Sequence, residues 1–517
     1  MSHVAALTVT GLVRSGGVVQ HGRPIPVRGQ SSPGATVHIT LGSHTVTTQA
    51  DAATGCWRCQ LPPLPAGGPY AGEVRSDDGQ HVALTDIYCG QLWLCAGQSN
   101  MAMTLSSLVE EEQPTAAQRE SAHRPVVRFV PIPMRVAARP MNTAVIQWDD
   151  ALDRLNRVSA VGYHFAWALA KRLQMPVGFV QTAVGHTPAM AWTSRARLID
   201  RDFVRQKLEQ FDEQLGQQPD AMDNLHACYL RLAPQMKQWN QQMVPWLAMA
   251  RESFNAGRPY PPMPAYPADL GNVHTPAVLY NGMLAPLAGE AFAGLLWYQG
   301  ESDAILGYAE HYEQSLSAVV ASVRDLLGPL PAVVVELPGH LDIQCDRPQD
   351  DWPGVRFAQQ RVVMSDVSLG LVPTLDLGDA QQIHPTRKCT LAQRAAEIAM
   401  GLVYADQANA EAGHRHGSVL HHAILTPQGI ELHFAGAAGR LSLVNLDAPD
   451  AATFEVLREN TWITARPQVI ADTIVLLPGS FSGITKLRYA WAGNPTPIVV
   501  DERGWPASGF EVALHVD

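Results

Sequence analysis

Gln91-Leu92-Trp93-Leu94-Cys95-Ala96-Gly97-Gln98-Ser99-Asn100-Met101 is the stretch on which the fold turns. A short apolar run closed by a glycine reads as a buried strand that ends in a sharp turn. Ser99 is then lifted off the end of a sheet, where open α/β folds place their sites. The turn is not the Gly-x-Ser-x-Gly elbow, because Met101 stands where the last glycine would be. Read alone, the serine is first a cap at a helix start. The rest of the chain reverses that reading.

Working outward, residues 89–406 alternate apolar strands with helical stretches, the pattern of a parallel sheet with helices on both faces. Val161, Phe165, Leu169 and Leu173 recur at helical spacing, ahead of a strand at Val177-Gly178-Phe179-Val180. A helix over 307–327 precedes the strand Ala332-Val333-Val334-Val335-Glu336-Leu337. A Gln- and Met-rich segment, 200–272, interrupts the rhythm and reads as a helical insertion. Residues 1–88 hold short alternating runs between Gly, Pro and Asp turns, and are expected to form a β-sandwich-like module. Residues 407–517 return to the same texture and form a second β-rich module. The expected fold class is α/β, a doubly wound parallel sheet flanked by helices, between two β-rich modules.

Bulk properties narrow the function classes. At 517 residues the chain is too long for one ordinary core. A net charge of −11 argues against a surface that tracks nucleic-acid phosphates. No apolar run approaches the ~18 residues of a membrane span. The start, Met1-Ser2-His3-Val4-Ala5-Ala6-Leu7, lacks the basic and apolar regions of a secretory signal. A periplasmic or secreted location therefore requires a signal removed beforehand, and a cytoplasmic one is expected otherwise. Seven cysteines, odd in number and scattered, do not make a disulfide framework. No His-Glu-x-x-His, phosphate loop or dinucleotide fingerprint is present.

Three further segments fall at expected strand ends. Trp297-Tyr298-Gln299-Gly300-Glu301 offers an amide and a carboxylate. Val184-Gly185-His186-Thr187 offers a backbone N–H with no Cβ in the way. Asp379-Ala380-Gln381-Gln382-Ile383-His384-Pro385 places a histidine just before a helix. A serine nucleophile needs a base, a group that orients the base, and donors aimed at the developing oxyanion. Ser99, His384, Gly185 and Gln299 supply such parts from different strand ends. The competing chemistry is glycoside hydrolysis by Glu301 with Asp303 or Glu336, which needs two carboxylates about 5–10 Å apart.

Gly-Gln-Ser-Asn-Met at 97–101, Trp-Tyr-Gln-Gly-Glu at 297–301, and Ile-His-Pro at 383–385 with Lys388 resemble the signature blocks of the sialate O-acetylesterase-like branch of SGNH hydrolases. That branch includes bacterial carbohydrate acetylesterases acting on plant polysaccharides such as xyloglucan. The resemblance extends to Leu279-Tyr280-Asn281-Gly282-Met283 and to Leu487-Arg488-Tyr489-Ala490-Trp491, and leaves out the 200–272 insertion. It implies an SGNH-type sheet and a carbohydrate O-acetylesterase working through a serine acyl-enzyme, without metal or cofactor. Ser99 would be the nucleophile and His384 the general base. Ser99, Gly185 and Gln299 would form the oxyanion hole. His186, where relatives often carry glycine, is expected on the sugar side together with Glu301 and Trp192. The implied partner is an acetylated carbohydrate, with neutral plant polysaccharide favoured and sialate 9-O-acetyl esters the alternative.

One departure stands out. SGNH enzymes usually place an aspartate three residues before the catalytic histidine, and here that position is Gln381. Asp379 and Asp376 are the nearby carboxylates. The expectation is a Ser–His dyad oriented by uncharged acceptors. The same departure motivates another class of reading, a carbohydrate-binding protein whose site has decayed.

Overall fold

The computed structural model describes residues 6–514, except 121–124, 257, 259–260, 268–269, 341–350, 406–413, 428, 450, 471–472 and 478–482. Among the described residues six parallel strands build the central sheet: β1 (His81–Gly97), β2 (Val127–Pro131), β3 (Val177–Ala183), β4 (Gly294–Tyr298), β5 (Ala332–Val335) and β6 (Leu369–Val372). Their order is β2-β3-β1-β4-β5-β6, with Asp149–Asp150 antiparallel on the outer edge of β2. The chain lays β2 and β3 on one side of β1 and then returns to lay β4, β5 and β6 on the other. The order therefore reverses at β1, the switch point beyond whose carboxyl end open α/β sheets place their sites.

Alternation along β1 feeds both faces of the sheet. Leu92, Leu94 and Ala96 join one core cluster, and Trp93 and Cys95 join the other. The first face is covered by α6 (Tyr312–Leu327) and α7 (Trp352–Ser365) through Leu316, Val319, Val355 and Val362. The second is covered by α2 (Ala160–Leu173) and α8 (Lys388–Val403) through Val161, Phe165, Leu391 and Ala395. Ser159 caps α2 by accepting from the Gly162 N–H at 3.0 Å. A short helix, α1 (Ser99–Ala102), follows β1 directly.

The boundary expected at residue 88 falls inside a continuous strand. The 17-residue β1 pairs antiparallel with Gly67–Ser76 and parallel with Val18–Gln20 before it enters the central sheet. Its first half belongs to the N-terminal core with Ile39, Val74 and Ile87, so no linker separates the two parts. The expected boundary at 406–407 lies outside the described residues. Beyond it, a seven-stranded antiparallel sheet from Val419 to Ala513 buries Leu432, Phe454, Leu487 and Phe510. The 200–272 segment is helical as expected: α3 (Asp202–Gln217), α4 (Ala221–Arg231) and α5 (Ala233–Asn255). Phe211, Leu215 and Leu225 sink into the first core cluster, which anchors this lobe. No described helix is long and apolar enough to cross a membrane.

Candidate active site

β1 and β4 run so close at their ends that only glycine fits at position 97. Its φ is +151°, and a Cβ there would lie 2.0 Å from the Tyr298 carbonyl oxygen. This close approach sets Ser99 at the carboxyl end of β1, beside the end of β4. The Gln98 N–H donates to the Tyr298 carbonyl at 3.1 Å, and the Gln98 Oε1 accepts from the Ser302 N–H at 3.3 Å. The turn that carries Ser99 is thus fastened to the end of β4. Ser99 itself is half-buried.

The end of β3 meets the same turn. A Cβ placed on Gly185 would sit 3.4 Å from the Ser99 Cβ, so the bare Gly185 backbone faces the serine. Gly185 is exposed, which leaves this side of Ser99 open.

His384 arrives on the loop between β6 and α8. Asn100, next to Ser99, donates from Nδ2 to the Ile383 carbonyl at 2.9 Å. Lys388 Nζ donates to Asn100 Oδ1 at 2.5 Å. One buried amide therefore grips the chain on both sides of His384. Burial, and after it the nearby Lys388 ammonium, hold the His384 imidazole below its ordinary value of 6.5.

Gln299 points inward. It is fully buried, and its Nε2 donates to Gln98 Oε1 (3.2 Å), the Thr187 carbonyl (3.0 Å) and Asp303 Oδ2 (2.5 Å). Its Oε1 accepts from the Tyr312 hydroxyl at 3.0 Å. An amide has two protons, and both are committed inside the protein. The expected oxyanion donor Gln299 thus has its side-chain protons directed to Gln98, Thr187 and Asp303 in this structure. It ties the ends of β1, β3 and β4 together. Asp303, raised to about 7 by burial, completes this knot by accepting from the Ala189 N–H at 3.0 Å.

Two of the side chains expected on the sugar side are also internal. Trp192 is fully buried, packs edge-on against Trp297 and donates to Thr187 Oγ1 at 2.9 Å, so its work is packing. Glu301 is buried and accepts from Asn100 Nδ2 at 2.5 Å, which turns it toward the core rather than the substrate. Its carboxyl is pushed up by burial. Its distance from solvent also argues against a glycosidase pair built on Glu301, Asp303 and Glu336, all of which are buried.

His186 stays at the rim, half-buried, with φ at +60°. Its ring lies 4.9 Å from Trp239, 5.1 Å from Tyr266 and 4.8 Å from His274. Trp239 and Tyr266 belong to the inserted lobe and His274 follows it, so the lobe is docked against the turn that carries Gly185. Nothing in the residue pattern marked these rings in advance. The one available signal was a bulky residue at a position where relatives often carry glycine.

The acid position stays without an acid. Gln381 and Asp379 are both exposed, and Asp379 Oδ1 accepts from the Gln381 and Gln382 N–H groups at 2.7 and 3.2 Å. Asp376 makes a two-pronged pair with Arg394, both contacts at 2.7 Å. That carboxylate is committed elsewhere.

The sequence pattern of the family described as carbohydrate esterase, sialic acid-specific acetylesterase, matches residues 89–222 and 274–408. The gap between the two segments lies within the inserted lobe and the residue after it. The chain is 24% identical to the sialate O-acetylesterase of Homo sapiens over 519 residues, covering 90% of this chain and 84% of that protein. It is 27% identical to the sialate O-acetylesterase of Mus musculus over 304 residues, covering 53% of this chain and 48% of that protein. Its fold is similar to that of a carbohydrate acetylesterase from Xanthomonas citri, with a TM-score of 0.76 at 23% identity, covering 98% of this chain and 99% of that one.

Proposed function

The chain belongs to the carbohydrate esterase family of sialic acid-specific acetylesterases, and on that premise we propose that it removes acetyl groups from an acetylated carbohydrate through a Ser99 acyl-enzyme. His384 takes the Ser99 proton, and Oγ attacks the acetyl carbonyl. The developing oxyanion is held by the N–H groups of Ser99 and Gly185, two donors already present before the substrate arrives. His384 returns the proton to the departing sugar hydroxyl. Water, activated by the same imidazole, then releases acetate. The observation that carries this reading is Asn100, which joins the residue after Ser99 to both flanks of His384.

The histidine works without a carboxylate partner in this proposal. Asp376 is bound to Arg394, and Gln381 and Asp379 lie at the surface. Acetyl is small, so discrimination rests on the sugar side, where the exposed Gly185 turn and His186 meet the lobe. A sialic acid carboxylate would call for an arginine. Arg356 is buried and donates to the Gly493 carbonyl at 3.0 Å, which removes one candidate. Arg387 is exposed on the His384 loop. A neutral, plant-type polysaccharide is the substrate proposed here, and Arg387 is the residue that favours the sialate reading.

The deciding experiment measures acetate release from O-acetylated xyloglucan and from O-acetylated sialic acid, with wild type and Ser99→Ala. Acetate from xyloglucan with intact glycosidic bonds, abolished in Ser99→Ala, is the expected result. Preference for the sialic acid ester, lost on Arg387→Ala, would move the substrate to the second reading. Glycan binding without turnover would identify a decayed site. Full activity of Ser99→Ala on p-nitrophenyl acetate would remove the nucleophile assignment.

A further inference from the structure

We propose that Lys388 is a positioning residue that, through Asn100, holds the His384 loop against the nucleophile turn, in place of the missing triad acid. The proposal rests on the esterase reading above. Lys388 opens α8 four residues after His384, so the loop that carries the histidine runs directly into the helix. Its side chain is 1% exposed and runs inward, with Nζ 5.1 Å above the centre of the Tyr298 ring. There it donates to Asn100 Oδ1 at 2.5 Å. The other end of the same amide donates to Glu301 Oε1 at 2.5 Å and to the Ile383 carbonyl at 2.9 Å. Three chain segments therefore meet on one side chain: the turn after β1, the turn after β4, and the loop before α8.

Stability alone is a weak reason for such a cluster. A buried cation and carboxylate are costly to desolvate, and well-packed apolar residues of similar size usually do as well or better. What the polar cluster adds is direction, because each hydrogen bond fixes an angle as well as a distance. A histidine on a long loop needs that most when no carboxylate reaches its ring. The charged and titratable groups around the Lys388 ammonium are Glu301 from the β4 turn, Glu112 from the Glu110–Glu112 turn and His384 from its own loop, with the face of the Tyr298 ring from β4 beneath it. Removing the ammonium therefore alters two things: the hold on the loop and the proton affinity of His384. A group that merely filled space would alter neither.

The test compares wild type, Lys388→Met, Lys388→Arg and Asn100→Leu on p-nitrophenyl acetate across pH, with circular dichroism to check folding. Lys388→Met is expected to lower kcat by about 10²-fold, the cost of a misplacement near 1 Å, with KM within about threefold. It should also move the acidic limb of kcat/KM to higher pH, because His384 loses a neighbouring positive charge. Lys388→Arg should return the limb toward its original place. Asn100→Leu should lose kcat comparably with the limb unmoved, since the ammonium stays. Should Lys388→Met fail to fold, Asn100→Leu becomes the deciding variant, and a folded Asn100→Leu with kcat within about threefold of wild type overturns the inference. A folded Lys388→Met with kcat within about threefold of wild type and an unmoved limb overturns it equally. A wild type that releases no acetate from any ester overturns the esterase reading and this inference together. An active wild type beside an unimpaired Lys388→Met overturns this inference alone.

Discussion

His274 Nε2 donates to the backbone carbonyl of His186 at 2.7 Å, while the two rings lie 4.8 Å apart. The contact couples the end of the inserted lobe to the residue that follows Gly185. His186 holds a left-handed backbone conformation that costs a side-chain-bearing residue on the order of 1–2 kcal/mol. The rings of Trp239, Tyr266 and His274 offset that cost. Burial holds both imidazoles low, His186 at about 4 and His274 at about 3, so the stack is neutral at ordinary pH.

Truncating the stack should therefore loosen the lobe before it harms the chemistry. Trp239 is 8% exposed, and Trp239→Ala should cost about 3–5 kcal/mol of local packing. The expected outcome is faster proteolysis within 200–272 and a higher KM on acetylated glycan. Turnover of p-nitrophenyl acetate should stay within about threefold. An unchanged KM on glycan would separate the lobe from substrate recognition.

Asp379→Asn should lower kcat by less than about tenfold, because Asp379 is exposed and binds its own loop. Converting a triad aspartate to its amide costs roughly 10⁴-fold. A loss of that size in Asp379→Asn would restore an acid to the mechanism and refute the dyad.

The pH profile follows from the burial of His384. In the proposed mechanism the base is the neutral His384 imidazole, whose proton affinity is depressed, first by burial and then by Lys388. A depressed value keeps the base neutral to lower pH, so the acidic limb of kcat/KM should lie below 6.5. A limb at or above about pH 7 would show that another group titrates or that the histidine carries a carboxylate partner.

Gly97→Ala probes the join between the two strands beneath the site. The added methyl would stand 2.0 Å from the Tyr298 carbonyl oxygen, on backbone that cannot rotate away. The expected cost exceeds about 2 kcal/mol, read as a fall of several degrees in Tm. Activity should fall with it, because Gln98 and Ser99 follow directly. A variant with wild-type Tm and kcat would contradict the close approach.

The residue pattern reveals strand ends well and side-chain direction poorly. The runs at 91–97, 177–180 and 332–335 all form strands, because continuous apolar sequence has no other place than a sheet buried on both faces. Residues next to a strand end point either out over the end of the sheet or back under it, and sequence spacing does not say which. Gln299, Glu301 and Trp192 lie on the inner side. For Glu301 a hint existed in Lys388, since a buried carboxylate needs a cation within reach, but their meeting depends on Asn100 from a third segment. The boundary at 88 is a different case. The pattern along β1 changes from alternating to continuously buried at residue 89, but the change marks where one strand enters the second sheet and not a linker. The ring stack at His186 was equally hidden, because it unites residues from 186, 239, 266 and 274.

The unbroken run of β1 through two sheets has a mechanical consequence. At residues 88 and 89 the strand is flanked by Val18 and Val19 on one edge and by the Gly67–Ser76 strand on the other, so bending it there would break ladders on both sides at once. The N-terminal module cannot hinge against the catalytic sheet, so it adds stiffness beneath the site rather than a jaw. Any opening and closing of the site has to be borne by elements other than this module.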